Sequence, residues 1–322
     1  MSDPTTGISL SLAQFAGARE RAAAAHMVNG VTDYCFSLDK EIRRRMATVK
    51  IVETLGYALV HVALDLKKSL LQMGAVAVGP RQYPRVHQIA QDCAQRLGIG
   101  APQIFIVHDP VPNAYTLAAD QAGDMVVIHS SLAEATTDDE LKFIVGHECG
   151  HIHNQHGVYN SVAVLLFNQV LAKLLAGIPG AGVLTAALGF GAQTLLSAWS
   201  RAAEITCDRA GLICVGDLAA GRHALAKLLS GGGGRLGGVN AEELARQLES
   251  VAKTPVRLLE LFQTHPIIPK RLEALRLFSR SETLCSWRPE MGSGGAAVPA
   301  SEIDRQCEEL VRVLGAGYRG RA

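Results

Sequence analysis

Between Val158 and Trp199 the chain carries one charged side chain, Lys173. A stretch this apolar has to leave water, and its punctuation shows how. SVAVLLFNQVLAKLL (161 to 175) is followed by a break at AGIPGAG and then by VLTAALGFGAQTLLSAW (183 to 199). Each half is about 15 to 17 residues, or roughly 25 Å as helix, which falls short of the ~30 Å hydrocarbon layer of a bilayer. A buried helical hairpin is therefore expected over 158–198, with a membrane-embedded or membrane-surface hairpin as the alternative.

The chain can supply the core that such a hairpin needs. With 322 residues, 48 per cent of them apolar, it fits one large domain or two smaller ones. A net charge of +1 and a charged fraction of 19 per cent leave no broad electrostatic footprint for nucleic acid. The basic cluster KEIRRRMATVK (40 to 50) reads as a solvated helix face. Seven scattered cysteines without CxxC pairs read as reduced thiols, and the N-terminus lacks the basic-then-apolar order of a secretory signal. A cytoplasmic address follows as the expectation, with membrane association if the hairpin meets a bilayer.

Three regions are expected. Residues 1–79 are rich in helix formers and would be a helical pro-segment, a partner-binding domain or a membrane-facing layer. The apolar run within them is broken by Glu53, His61, Asp65 and the pair Lys67 and Lys68, which argues against a span. Residues 80–280 open with an amphipathic helix over RQYPRVHQIAQDCAQRLGIG. A β-rich QIFIVHD comes next, and NAYTLAADQAGDMVVIHSS reads as two strands joined through a Gly-Asp turn. Past the apolar run, SRAAEITCDRAGLICVGD reads as a separate helix, GGGGRLGG as a flexible loop and EELARQLESVAK as a polar helix. THPIIPKRLEALRLF then starts as a proline turn and continues as helix. Residues 281–322 read as a linker, MGSGGAAVPA, before the short helix SEIDRQCEELVRVLG.

Chemistry concentrates in VGHECGHIHNQH (145 to 156), which holds four of the eleven histidines. Thr137 is positioned to cap a helix whose third residue is Glu140, with Leu141, Ile144 and Val145 on its apolar face. His147 and His151, four apart, project from one face of that helix and can offer ring nitrogens to one ion, with Glu148 beside them as a base. The five-residue pattern HExxH also arises by chance on exposed helices, so a third ligand decides the case. A metzincin would carry that ligand as a histidine at position 157, which here is Gly157. AEITCDRAG offers another arrangement, in which Glu204 binds the ion and Asp208, one turn on, accepts a hydrogen bond from His147 or His151. The bland reading of that pair is an ordinary surface helix. His153 and His156, near the helix end, read as structural residues that suit the helix dipole. Cys149 and Cys207 read as plain core thiols.

PNAYTLAA (112 to 119), DELKFIVGHECGHIHNQH (139 to 156), SRAAEITCDRAG (200 to 211) and THPIIPKRLEAL (264 to 275) together resemble, in this order, the HtpX-like and CAAX-prenyl-protease-type zinc peptidases of the gluzincin class. The resemblance spans about residues 80 to 275 and departs from the common HELGH at Cys149. It implies an α+β, predominantly helical fold, with a zincin-type metallopeptidase core, a small β-sheet and an HExxH active-site helix. It implies one Zn²⁺ per chain on His147, His151 and Glu204, with Glu148 as catalytic base. Asn113, Ala114 and Tyr115 would form an edge strand beside the substrate, with Arg271 also at the substrate. His265 would hydrogen-bond the developing oxyanion or fill the fourth zinc position, or else simply start a helix. The expected activity is hydrolysis of peptide bonds in a protein or peptide substrate. The alternative is a latent, zinc-stabilised binding or chaperone-like protein whose site is closed. The oligomeric state is not legible.

Overall fold

A computed structural model of the chain describes residues 26–28, 31–47, 69–117, 124–157, 181–231, 238–240, 243, 244, 246, 268–292 and 296–312. A two-residue hairpin, β1 (Met27–Val28) and β2 (Val31–Thr32), leads into α1 (Ser37–Ala47). After β3 (Val76–Ala77) comes α2 (Pro84–Leu97), which opens on a proline and closes on Gly98 at φ 72, a left-handed cap that suits glycine. β4 (Gln103–Val107), β5 (Ala114–Leu117) and β6 (Met125–His129) follow, then the short α3 (Ser130–Ala135). The remaining helices are α4 (Asp138–His153), α5 (Ala181–Val215), α6 (Leu218–Ser230), α7 (Ile268–Phe278), α8 (Glu282–Trp287) and α9 (Ala300–Val311). The protein is α+β and mostly helical, as the motifs implied.

The four-stranded sheet has the order β3-β4-β6-β5. β4 runs parallel to β6, while β3 and β5 pair antiparallel at its two ends. Side chains alternate across it with the period of two that a pleated strand imposes. Ile104, Ile106, Val126, Ile128 and Ala114 face the main helical core. Phe105, Val127, Met125, Leu117 and Tyr115 face the other way, over Leu71. Thr116 shares the parity of Ala114 and therefore looks toward the helices, which matters below.

α4 lies on that face of the sheet and packs along α5 at very short range. The closeness comes from glycines on α4. A Cβ on Gly146 would stand 2.6 Å from Cys214 Cβ, and one on Gly150 would stand 2.8 Å from Ala210 Cβ. Neither position has room for a methyl group, so Gly146 and Gly150, each one residue before a histidine, set the separation of the two helices.

The structure differs from the sequence expectations at several points. The run 183–199 and the helix expected after it are one continuous helix, α5, of 35 residues, because nothing around Trp199, Ser200 and Arg201 breaks it. The first half of the expected hairpin, 158–180, lies outside the described residues. Among the described residues no helix is long and apolar enough to cross a membrane. Residues 1–79, expected to be helical, include the short strands β1, β2 and β3 beside α1 among their described residues. In β3, Val76 and Ala77 add to β4 opposite Ile106 and Phe105, and β-branched residues beyond Gly74 take the strand that a sheet edge offers. The expected loop 231–238 and polar helix 242–253 fall mostly outside the described residues.

The segments flanking 80–280 do not stand apart from it. Tyr34 and Phe36 are fully buried, and Arg209 on α5 donates to the Tyr34 carbonyl at 3.1 Å and to Asp304 on α9 at 2.7 Å. Where a linker was expected, Ser281 caps α8, and Leu284 and Trp287 enter the main core. Ile303, Cys307 and Leu310 of α9 pack on Phe36, Ala202 and Leu277.

Candidate metal centre and peptide-cleaving site

Thr137 starts the site. Its hydroxyl accepts from the Glu140 backbone at 3.3 Å while the Glu140 carboxylate accepts from the Thr137 backbone at 2.7 Å, the capping box that the sequence predicts. Three turns on, His147 and His151 stand on one face of α4 with ring centroids 5.2 Å apart. Across the glycine-narrowed gap, α5 presents Glu204 and Asp208, again one turn apart. Glu204 Oε2 lies 3.6 Å from His147 Nε2, and Glu204 Oε1 lies 3.6 Å from His151 Nε2. The far nitrogen of His147, Nδ1, meets Asp208 Oδ1 at 3.0 Å. All four side chains are buried.

Arg271 on α7 holds the two acids. It donates to both Asp208 oxygens at 2.8 and 2.6 Å and stands 2.9 Å from Glu204 Oε2. Burial pushes the Asp208 carboxyl up, but the Arg271 guanidinium overrides this and keeps it below the ordinary range. His147 is pulled down by burial, yet its bond to Asp208 and the charge of Glu204 leave it above its ordinary value. The sequence expectation placed Arg271 at the substrate, and the structure places it beside the two acids. Its guanidinium is buried and engaged by Glu204 and Asp208, which leaves its role inside the site.

Glu148 is oriented from the sheet. The Thr116 hydroxyl on β5 lies 2.6 Å from Glu148 Oε2 and 3.1 Å from the Glu148 carbonyl, so it donates to the helix that carries the carboxylate. Ala114 and Tyr115 lie on the same end strand and pair with Ile128 and Val127, and Asn113 accepts from the His129 backbone at 2.9 Å. Among the described residues β5 ends the sheet, so its outer backbone edge faces away from β6. His265 lies outside the described residues.

Three participants were missing from the sequence reading. Thr116 is one. His156, read as structural, is another: α4 ends at His153, Gln155 takes a left-handed φ of 56, and the reversed chain brings His156 Nδ1 to 3.2 Å from His151 Nδ1. The third is Asp39 on α1, whose Oδ2 lies 3.1 Å from His156 Nε2. Only Thr116 had a local signal, its strand parity. Asp39 and His156 are 117 residues apart and meet only in the fold.

Two donor sets are candidates for a metal. His147, His151 and Cys207 bring ligand atoms within 4.8 Å of one another. The Cys207 sulfur, however, sits 3.5 Å from His156 Nδ1, beside the nitrogen pair on the far side of His151, and burial first, then Glu204, keeps its thiol protonated. His147, His151 and Glu204 instead present two Nε2 atoms to two carboxylate oxygens. Three carboxylates here (Glu148, Glu204, Asp208) against one guanidinium (Arg271) leave a formal charge of −2. Two imidazoles and a carboxylate in a buried, net-negative cluster fit a divalent transition metal.

The family model described as peptidase family M48 matches residues 80–278. The chain belongs to peptidase family M48. As a member it is a metalloprotease acting on peptide bonds of protein or peptide substrates. The chain is 30% identical over 258 residues to the plastoglobule-localized metallopeptidase 48 of Arabidopsis thaliana, covering 77% of this chain and 73% of that protein. It is 28% identical over 247 residues to a protease HtpX homolog of Tropheryma whipplei, covering 69% and 81% respectively. Among solved structures it is similar to S. mikatae Ste24p at a TM-score of 0.45 and 16% identity, spanning 81% of this chain and 63% of that one. The M48 match includes His147, Glu148, His151, Glu204, Asp208 and Arg271, and leaves Asp39 outside it.

Proposed function

We propose that this M48 peptidase is a zinc-dependent endopeptidase in which His147, His151 and Glu204 hold one Zn²⁺ and Glu148 is the general base. The observation that carries the proposal is the convergence of two histidine Nε2 atoms on the two oxygens of Glu204, each at 3.6 Å, one residue from a carboxylate held by Thr116. A bound zinc ion would supply Lewis acidity for the scissile carbonyl and bring water's acidity toward neutrality. Asp208 accepts from His147 Nδ1, which leaves Nε2 of that ring unprotonated and able to act as a ligand. Arg271 keeps Asp208 ionised for that task and offsets part of the acidic charge.

Glu148 takes the proton from the attacking water and passes it to the departing amine. Thr116 has a second acceptor for its hydroxyl, the Glu148 carbonyl at 3.1 Å, so the same side chain stays satisfied when Glu148 carries the proton. An extended substrate would add antiparallel to the outer edge of β5 by main-chain hydrogen bonds, with Asn113, Ala114 and Tyr115 lining its path. Side-chain preference would then rest on a few contacts rather than on the whole backbone.

The experiment is metal removal and return. Cleavage of a disordered protein should stop when a chelator strips the ion and resume on addition of about one Zn²⁺ per chain. Activity that survives complete metal removal would exclude the reading.

A further inference from the structure

Among the described residues, the Nδ1 of His151 meets no carboxylate such as Asp208 provides for His147. Its Nδ1 faces another histidine, His156, at 3.2 Å, and His156 in turn faces Asp39 through Nε2 at 3.1 Å. The positions of the protons along this line follow from the donors that surround Asp39. Oδ1 accepts from Trp199 Nε1 at 3.0 Å and stands 3.1 Å from Arg43 Nε. Oδ2 accepts from Thr206 Oγ1 at 2.7 Å and from the Cys35 thiol at 3.3 Å. Trp199 can only donate, so Oδ1 accepts; the Thr206 hydroxyl, which itself accepts from the Phe36 backbone at 3.1 Å, and the Cys35 thiol donate to Oδ2; with the Arg43 charge alongside, Asp39 is ionised although fully buried. Its charge agrees with this: burial raises the carboxyl, and His156, Arg43 and Thr206 together hold it well below the ordinary range.

An ionised Asp39 makes His156 Nε2 the donor. With Nε2 donating to Asp39, His156 meets His151 through Nδ1 alone, and one proton is shared between the two Nδ1 atoms. A His151 ring that offers Nε2 to the ion carries its proton on Nδ1 and donates it to His156, so no two lone pairs face each other at 3.2 Å. The Nε2 lone pair of His151 is then free, on the side where Glu204 Oε1 stands at 3.6 Å.

We infer that Asp39 and His156 are positioning residues for the metal site: a carboxylate-to-histidine-to-histidine line that fixes the tautomer and the orientation of His151, as Asp208 does directly for His147. The inference deepens the zinc reading above and rests on it. It also gives α1, outside the segment shared with the M48 family model, a share in building the centre. The geometry is set by two local features, the left-handed Gln155 that turns the chain back beneath α4 and the Arg43 guanidinium, which donates to the Asn154 carbonyl at 2.6 Å and pins the turn to α1.

The test measures zinc affinity of the full-length protein by competition with a chromophoric chelator, at fixed pH, for wild type, His156→Ala, His156→Gln and Asp39→Asn. Glutamine can accept from His151 with its amide oxygen and donate to Asp39 with its amide nitrogen, so His156→Gln should stay within about threefold of wild type. His156→Ala and Asp39→Asn should bind zinc roughly 10- to 100-fold more weakly, the usual effect of removing an outer partner of a metal-ligating histidine. Equal affinity in wild type and a folded His156→Ala would overturn the inference while leaving the zinc centre intact. Wild type that takes up no zinc would instead sink the zinc reading, and this inference with it. Ring-nitrogen NMR of zinc-loaded, histidine-labelled wild type needs no variant to fold: a coupling across the hydrogen bond from His151 Nδ1 to His156 Nδ1 supports the line, and a His151 Nδ1 proton that exchanges freely with water contradicts it.

Discussion

At the scale of single residues, helical spacing makes the proposed ligands and base legible in the sequence and leaves the groups that touch them hidden. HExxH announces His147, Glu148 and His151 because helical spacing alone brings two imidazoles to one face. AEITCD announces a Glu and an Asp one turn apart for the same reason. Thr116, Asp39 and His156 act through contacts that cross 32, 117 and 5 residues of chain. The first two need the sheet and α1 to exist before they mean anything, and the third needs a left-handed turn at a glutamine, which no propensity foretells. Arg271 was legible as a site residue, and its pairing with Glu204 and Asp208 was not, because a positive side chain near a site reads equally well as a substrate clamp or as a counter-ion. Thr116→Val tests the orienting bond to Glu148. It keeps the volume and β-branching, and removal of one bond to a charged group should lower kcat by about 10-fold or more with KM little changed, while Thr116→Ser restores most of the rate. A kcat equal to wild type in the valine variant would show that Glu148 does not depend on this hydroxyl.

At the scale of elements, the separation of α4 and α5 decides whether the site exists. Gly146 and Gly150 read as ordinary small residues in a helix until their Cβ positions are set against Cys214 and Ala210. Gly150→Ala should force the two helices apart or displace Ala210, and should destabilise the fold by about 1–3 kcal/mol. Because Glu204 and Asp208 ride on α5, zinc affinity should fall in the same variant. A melting temperature and an affinity both equal to wild type would mean that the helices do not depend on that glycine for their approach. The elements that the sequence reading missed share one cause. β3 is two residues long and exists because β4 has an open edge, and α5 is one helix because no breaker lies between its apolar and its acidic halves. Both are set by neighbours or by a missing signal.

At the scale of the whole molecule, the N-terminal hairpin, α1 and the C-terminal helices close around the back of the site, where the sequence suggests a pro-segment, a partner-binding domain or a membrane-facing layer at one end and a linker at the other. Trp287 on α8 donates to Asp33 at 2.8 Å and stacks on His26, and Asn154 just beyond α4 accepts from Thr32 at 2.7 Å. Asp39 is the charged centre of this closure, and its depressed carboxyl gives the molecule a characteristic acid response. A group held below its ordinary value of 3.8 binds its proton more readily in the unfolded chain, so its contribution is fully present above 3.8 and is lost as pH falls toward its folded value. The melting temperature of metal-free wild type should therefore exceed that of Asp39→Asn by a constant margin of a few degrees between pH 7 and pH 5, and the margin should shrink below about pH 4. A margin that stays constant down to pH 3, or widens, would contradict an ionised Asp39. The central claim, that the cluster on α4 and α5 is the peptide-cleaving centre, is tested most directly by Glu148→Gln. Zinc content and cleavage of a disordered protein are measured together on wild type and on this variant. The account predicts about one zinc per chain in both, with fragments from wild type and a loss of at least about 1000-fold in the variant; cleavage by Glu148→Gln at the wild-type rate would contradict it.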